Sequence, residues 1–260
     1  TAASGAALIV TNEGNGDLTR LLPPMHIVVA SIEKVVPTLA DACALLRLLP
    51  RSASGQEITS YVTLASGPKR AGDADGPEEF HVVLLDNGRS GLVASPVREV
   101  LQCIRCGACL NHCPVYGAIG GHAYGAVYPG PIGAALDPGL MGVAKAHHLP
   151  HASSFCGRCE DVCPVKIPLT RIMRHWRNVS FASGLSPPSF AAGLRLWARV
   201  ARSPRLYAFA AARTAAALRA LARGKPRLAS LPLLKGWFAS RALPRPATRS
   251  FQAQWRAGRR

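Results

Sequence analysis

Short apolar runs rich in Val and Ile punctuate the first third of the chain, at residues 6–11, 26–30, 58–64 and 80–85. Between the second and third runs, Leu39, Ala42, Cys43, Leu46 and Leu49 recur at helical spacing, which predicts a helix over 38–49 with Cys43 on its buried face. Asp86-Asn-Gly88 is a turn signal closing the last run. Short apolar strands alternating with a helix predict an α/β domain over 1–95 with a mostly parallel, covered sheet. The Gly-rich stretch Thr11-Asn-Glu-Gly-Asn-Gly-Asp17 follows the first strand, yet lacks both the dinucleotide and the P-loop pattern, so it reads first as a tight turn and second as a phosphate cradle. The pattern breaks near residue 96, and Gly, Pro and Cys dominate as far as 182. From 183 to 260 it becomes helical again, interrupted by Pro187, Pro188, Pro204, Pro226 and Pro232.

The middle region carries the chemistry. Cys103-Ile-Arg-Cys106-Gly-Ala-Cys109-Leu-Asn-His-Cys113-Pro114 has the C-x2-C-x2-C-x3-C-P spacing of bacterial iron–sulfur runs, whose fourth cysteine serves the other cluster. Cys156-Gly-Arg-Cys159-Glu-Asp-Val-Cys163-Pro164 repeats the end of that run. A cubane cluster needs thiolates converging from one side, and small residues (Gly107, Ala108, Gly157) allow a tight loop to wrap three corners. Pro114 and Pro164 keep each following helix off the cluster. Crossed ligation then predicts one site from Cys103, Cys106, Cys109 and Cys163, and a second from Cys113, Cys156 and Cys159. Where a two-cluster ferredoxin would carry one more cysteine, this chain has Ser153, followed by Ser154. Two iron–sulfur clusters are expected, most simply 4Fe-4S each. For the second, a 3Fe-4S cluster, an oxygen ligand and an unidentified cap all stay open. Zinc also uses C-x2-C pairs, but wants only four ligands and does not explain the third cysteine of the first run or the two Cys-Pro endings. Disulfides do not suit this density of C-x2-C loops, which belongs to metal or redox work in a reducing, cytoplasmic setting. Cys43, if not core, is the alternative missing ligand.

Charge divides the chain at the end of the second motif. Up to Cys163 there are 11 Lys/Arg against 14 Asp/Glu; beyond it there are 20 Lys/Arg and no acid, within an overall net of +17. A basic tail of this kind suits an anionic membrane face, an acidic partner or nucleic acid. In Phe190-Ala-Ala-Gly-Leu-Arg-Leu-Trp-Ala-Arg-Val-Ala-Arg202, the residues Phe190, Leu194, Trp197 and Ala201 share one helical face, and Arg195, Arg199 and Arg202 share another. That pattern favours an interfacial or partner-docking helix over nucleic acid, for which there is neither a stacking platform nor a recognisable module. An ordinary surface helix fits it equally well. No run is long and apolar enough to span a bilayer, Thr1–Val10 lacks the basic start of a signal peptide, and the chain reads as starting inside a domain. His122, Tyr124 and Tyr128, in a Gly/Pro-rich loop, are candidates for shaping a cluster environment or a partner contact and equally for filling a loop-rich core, whereas His147, His148 and His151 have no ligand spacing and read as solvated.

Several stretches resemble one family. They are Val10-Thr-Asn-Glu-Gly-Asn15, Glu33-Lys-Val-Val-Pro-Thr38, Leu48-Leu-Pro-Arg-Ser52, Gly72-Asp-Ala-Asp-Gly-Pro-Glu-Glu-Phe80 and Leu85-Asp-Asn-Gly-Arg-Ser90. Gly120-Gly-His-Ala-Tyr-Gly125, Tyr128-Pro-Gly-Pro-Ile-Gly133 and both cysteine motifs complete the set. The chain is similar to the iron–sulfur subunit of the bacterial L-lactate oxidation system, the lactate utilization protein B type. The resemblance implies an α+β chain. A partial α/β LUD domain, akin to CoA-transferases and sugar-phosphate isomerases, would precede an α-helical ferredoxin-like two-cluster domain (96–182) and a basic, partly helical tail (183–260). It implies an N-terminally shortened LUD domain, the same seven cysteine ligands, and a family that also lacks a cysteine at position 153. It further implies an electron-transfer subunit, with no catalytic residue of its own, in a complex that oxidises lactate to pyruvate. Its partners would be the other subunits; an anionic inner membrane face is suggested by the charge of the tail alone. Two other classes remain: an iron–sulfur enzyme using an open cluster corner on a substrate, and a zinc-stabilised binding protein.

Overall fold

The computed structural model describes residues 1–231 and 235–258, so the expected break at Pro232 lies outside the described residues. The chain is α+β and forms two compact units, Thr1–Leu185 and Ser186–Arg260.

The first unit opens with β1 (Ala7–Thr11), α1 (Asn15–Leu21), β2 (Met25–Ser31), α2 (Leu39–Ala53), β3 (Tyr61–Ala65) and β4 (Glu79–Leu85). All four expected strands form, but not in the expected sheet. β1 pairs with β3 antiparallel and β2 with β4 parallel, as two separate ribbons. The sheet is not covered either, since Ile27, Val29, Val82, Val83, Leu84 and Leu85 are all exposed. A two-stranded ribbon cannot bury both faces without a further layer on each side, and none of the described residues supplies one. Helix α2 starts where Thr38 and Asp41 form a capping box: the Thr38 hydroxyl accepts from Asp41 N–H at 3.2 Å, and the Asp41 carboxylate accepts from Thr38 N–H at 3.0 Å. It runs past Pro50 to Ala53, beyond the expected end at 49, and buries only Ala42 and Pro50. Cys43 is exposed rather than in a core, because the apolar face of α2 meets little of the unit. The Gly-rich stretch is the turn into α1.

The cluster region is built from short pieces around one buried helix. After α3 (Arg89–Val93) come α4 (Ala108–Asn111), α5 (Pro114–Ile119), α6 (Gly130–Met141), α7 (Val143–Ala146), α8 (Arg158–Asp161) and α9 (Leu169–Ala182). Helix α6 is buried from Gly130 to Pro138, as expected for a helix that is apolar on all sides. Its small residues let neighbours approach closely: a Cβ on Gly133 would lie 1.4 Å from the Tyr128 carbonyl oxygen. Helix α9 packs Leu169, Ile172, Met173 and Trp176 into the same core, and the Trp176 indole donates to the Ala135 carbonyl at 2.8 Å. Pro114, expected to keep the following helix off the cluster, is also the first residue of that helix, α5, where the missing N–H costs nothing.

The second unit contains α10 (Pro188–Ala201) and α11 (Pro204–Leu221), each opened by a proline at its first turn. A two-residue pairing of β5 (Arg227–Leu228) with β6 (Leu243–Pro244) follows, with α12 (Lys235–Phe238) and α13 (Phe251–Gly258). Its buried cluster is small, centred on Ala222, Leu228 and Phe238, and α10 buries no residue fully. Among the described residues, no helix is long and apolar enough to cross a membrane.

Candidate iron–sulfur centres

The two cysteine runs fold as copies of one another. Position 103 answers to 153, 106 to 156, 109 to 159 and 113 to 163. In each run the residue before the second position, and the glycine after it, take left-handed backbone: Arg105 at φ 63° and Gly107 at 76°, Phe155 at 55° and Gly157 at 83°. The glycines adopt this freely, whereas Arg105 and Phe155 each pay on the order of 1–2 kcal/mol for it. Alternating right- and left-handed residues turn successive N–H groups inward, a concavity suited to an anionic cluster. One short helical turn then closes each loop, with Leu110 N–H on the Gly107 carbonyl at 2.9 Å and Glu160 N–H on the Gly157 carbonyl at 2.9 Å.

Cys103, Cys106, Cys109 and Cys163 line one cavity of about 190 Å³, so the first run and the last cysteine of the second meet there. The rest of its wall is mostly apolar, with Leu110, Ile132, Val165, Ile167 and Leu169, and is completed by Arg105 and Tyr128. Burial in this setting pushes the Cys109 thiol up to about 12, with the neighbouring Cys103 adding to the effect, and raises Cys106 as well. A bare thiolate is disfavoured here, so a bound cationic centre is what would hold these sulfurs deprotonated. Cys113, Cys156 and Cys159 line a second, much narrower cleft of about 10 Å³, together with His112, Ser153, Ser154 and Thr170. Burial pushes the Cys159 thiol up to about 11, helped by the charge of Glu160. Among the described residues, no three Cys, His, Asp or Glu side chains close on a single-ion site. Backbone N–H groups already point at the sulfurs: Arg105 to Cys103, Tyr116 to Cys113 and Ile167 to Cys163, each at 3.4 Å. Such contacts stabilise sulfur-borne negative charge and tune a cluster's potential. The donor set, the hollow and the inward N–H groups of the first site fit a four-iron cluster, and the second offers the same backbone with three thiols.

Other residues reach the first site from the strand region, and spacing alone gave no sign of them. Glu33, only 6% exposed at its side chain, lies 2.9 Å from the Arg89 guanidinium and 3.8 Å from that of Arg105. Burial alone would raise the Glu33 carboxyl. Hydrogen bonds from Ser31 and its own backbone, with the Lys34 and Arg89 charges, outweigh that and hold it below the usual range. Arg89, almost fully buried, also donates to the Tyr128 hydroxyl at 3.3 Å, while Arg105 stacks over the Tyr128 ring at 3.8 Å. Lys34 donates from Nζ to the Cys103 carbonyl. The signal for this network lay in the family-like segments Glu33–Lys34, Leu85–Ser90 and Tyr128–Gly133, but only the fold showed that they converge. Of the other candidates, Tyr124 is buried in the core, His122, His148 and His151 are exposed, and His147 is half-buried. Cys43 lines neither site.

The LUD domain family matches residues 1–85, and the 4Fe-4S dicluster domain family matches residues 99–167. Lactate utilization protein B of Geobacillus thermodenitrificans is 44% identical over 256 residues, covering 98% of this chain and 54% of that protein. Over nearly its whole length this chain is similar to lactate utilization protein B. Lactate utilization protein B 1 of Bacillus mycoides is 46% identical over 254 residues, covering 98% of this chain and 52% of that protein. An Escherichia coli K12 relative, named as an uncharacterized electron transport protein, is 41% identical over 97% of this chain and 53% of its own length. The chain thus spans about half the length of the curated relatives it matches. No solved structure matches it. The dicluster-domain match indicates two 4Fe-4S clusters in the middle region.

Proposed function

We propose that this chain is an electron-transfer subunit of an L-lactate oxidation complex. The observation that carries the reading is the meeting of Cys103, Cys106 and Cys109 with Cys163, from the other motif, around one apolar cavity. In this reading those four thiolates hold one cluster and Cys113, Cys156 and Cys159 bind the other. The clusters supply one-electron chemistry. The protein's own residues keep water from the first site through Ile132, Ile167 and Leu169, and aim N–H groups at Cys103, Cys113 and Cys163. Arg105 and Lys34 place positive charge beside the first loop, which favours the more negative, reduced state of a cluster there. Lactate as the electron source rests on the names of the relatives. The domains in this reading are 1–95, 96–182 and 183–260, with the other subunits of the complex as partners.

The basic residues after Cys163 support a peripheral position on an anionic membrane face, with Phe190, Leu194 and Trp197 of α10 exposed. Removing 183–260 should abolish a salt-sensitive binding to anionic vesicles, and binding indifferent to salt and truncation would exclude the membrane.

Iron, acid-labile sulfide and zinc per chain, measured on anaerobically purified protein, test the core of the reading. The iron and sulfide of two four-iron clusters are expected, and L-lactate added to the assembled complex should bleach their visible absorption. Zinc without sulfide would replace electron transfer with a structural metal role, and clusters that lactate leaves oxidised would sink the lactate assignment alone.

A further inference from the structure

The second site has three thiols where the first has four, yet the backbone that would carry the fourth is present. We propose that Ser153 supplies this fourth ligand, its Oγ binding iron as an alkoxide in the position Cys103 takes in the first loop. The inference rests on the two-cluster reading above and extends it.

Five observations coincide on Ser153. The residue stands in register with Cys103, ahead of the same pair of left-handed residues. Phe155 N–H donates to Ser153 Oγ at 3.2 Å, as Arg105 N–H donates to Cys103 Sγ at 3.4 Å, so the oxygen sits where the sulfur sits in the copy. The carbonyl of each residue is gripped by a cation from elsewhere in the fold: Lys34 on Cys103, and Arg177 on Ser153 at 3.0 Å. The residue two places on makes a cation–π contact in each loop, with the roles exchanged: Arg105 lies over the Tyr128 ring at 3.8 Å, and Arg177 over the Phe155 ring at 4.1 Å. Finally, half-buried Ser153 lines the cleft that Cys113, Cys156 and Cys159 share.

The other oxygen and nitrogen groups of the cleft are worse placed. Thr170 is committed, its hydroxyl donating to Glu160 Oε1 at 2.5 Å and its N–H at 2.6 Å. Ser154 is exposed and answers to Ile104, a position that carries no ligand in the first loop. His112 answers to Val162 on the same grounds. Binding breaks the Ser153 Oγ–H bond as the iron–oxygen bond forms, and the proton leaves to water; no electron is transferred. Oxygen is a harder donor than sulfur and favours the ferric state, so the second cluster is the harder of the two to reduce through this ligand.

The test uses the full chain, purified anaerobically with its iron isotopically enriched for Mössbauer spectroscopy, as wild type, Ser153→Cys, Ser153→Ala and Ser154→Ala. Wild type should show one iron of one cluster with parameters distinct from its all-thiolate neighbours. Ser153→Cys should keep the full iron complement, erase that distinct iron and raise the midpoint potential of one cluster, leaving the other unchanged. Ser153→Ala should lose one iron on mild oxidation and develop a three-iron paramagnetic signal, or lose that cluster outright. Ser154→Ala should match wild type. A Ser153→Ala protein that keeps the distinct iron and its full complement would overturn the proposal, as would Ser154→Ala reproducing the loss. Wild-type protein lacking sulfide would instead bring down the two-cluster reading itself.

Discussion

The loop at 103–113 and the loop at 153–163 share a backbone and differ in what surrounds them. The first opens on a cavity of about 190 Å³ and is braced by Lys34, Glu33 and Arg89 from the strand region. The second lines a cleft of about 10 Å³, is braced by Arg177 of α9, and leaves Cys156 exposed. A repeated motif therefore sets the number and direction of donors, while packing sets how far each set is shielded from water. Since burial and hydrogen bonds to sulfur tune cluster potential, two near-identical loops can hold centres of different potential in one electron path.

The sharpest way to break the comparison is to remove one of the two thiols that cross between the loops. Cys163→Ala should abolish the cluster of Cys103, Cys106 and Cys109, seen as loss of about half the iron with the other cluster's paramagnetic signal retained. Loss of the signal belonging to Cys156 and Cys159 would mean that each run serves itself. Next in size, Gly133→Ala should destabilise the protein by about 3 kcal/mol in denaturant unfolding, because the added methyl meets the Tyr128 backbone and not a movable side chain. Glu33→Gln should cost about 2 kcal/mol by leaving Arg89 buried without its counter-charge, and should make only the first cluster labile to chelators. Arg177→Met should do the same to the second cluster alone. If both variants weaken both clusters equally, the loops do not have separate supports.

The smallest effect concerns Asp137, buried on α6 with one carboxylate oxygen lacking a hydrogen-bond partner among the described residues. Burial pushes its carboxyl up to about 7, only partly opposed by the Arg105 charge. The native chain then keeps the proton over a range where the unfolded chain releases it. Stability should fall as pH rises from about 4 to about 7 and level off above that. Asp137→Asn should flatten this slope and gain about 1 kcal/mol at neutral pH, read from unfolding curves at several pH values.

Much of the site was legible in the residues because metal-binding loops are local. Cys103, Cys106 and Cys109 must lie on one loop, Gly107 and Gly157 supply left-handed turns, and the gap at Ser153 is visible by counting. The misreadings of Cys43 and of the sheet concern contacts between distant segments. Periodicity placed Cys43 in a core, but a helix face is buried only if something packs on it, and α2 meets little. The four strands were located correctly, yet their pairing into two ribbons follows from partners that no local pattern names. Pro114, read as keeping the following helix off the cluster, is also that helix's first residue, since proline is welcome at a first turn.

By itself the sequence determined the donor inventory, the duplicated loop geometry and the division of charge near Cys163, because each depends on residues a few positions apart. Only the tertiary structure decided that Glu33 gathers Arg89 and Arg105 beside the first cavity, that Arg177 holds the Ser153 carbonyl, and that one cavity is wide and the other narrow. Those outcomes depend on which distant surfaces exclude water together, a sum over the whole core around α6 that no short window of sequence contains.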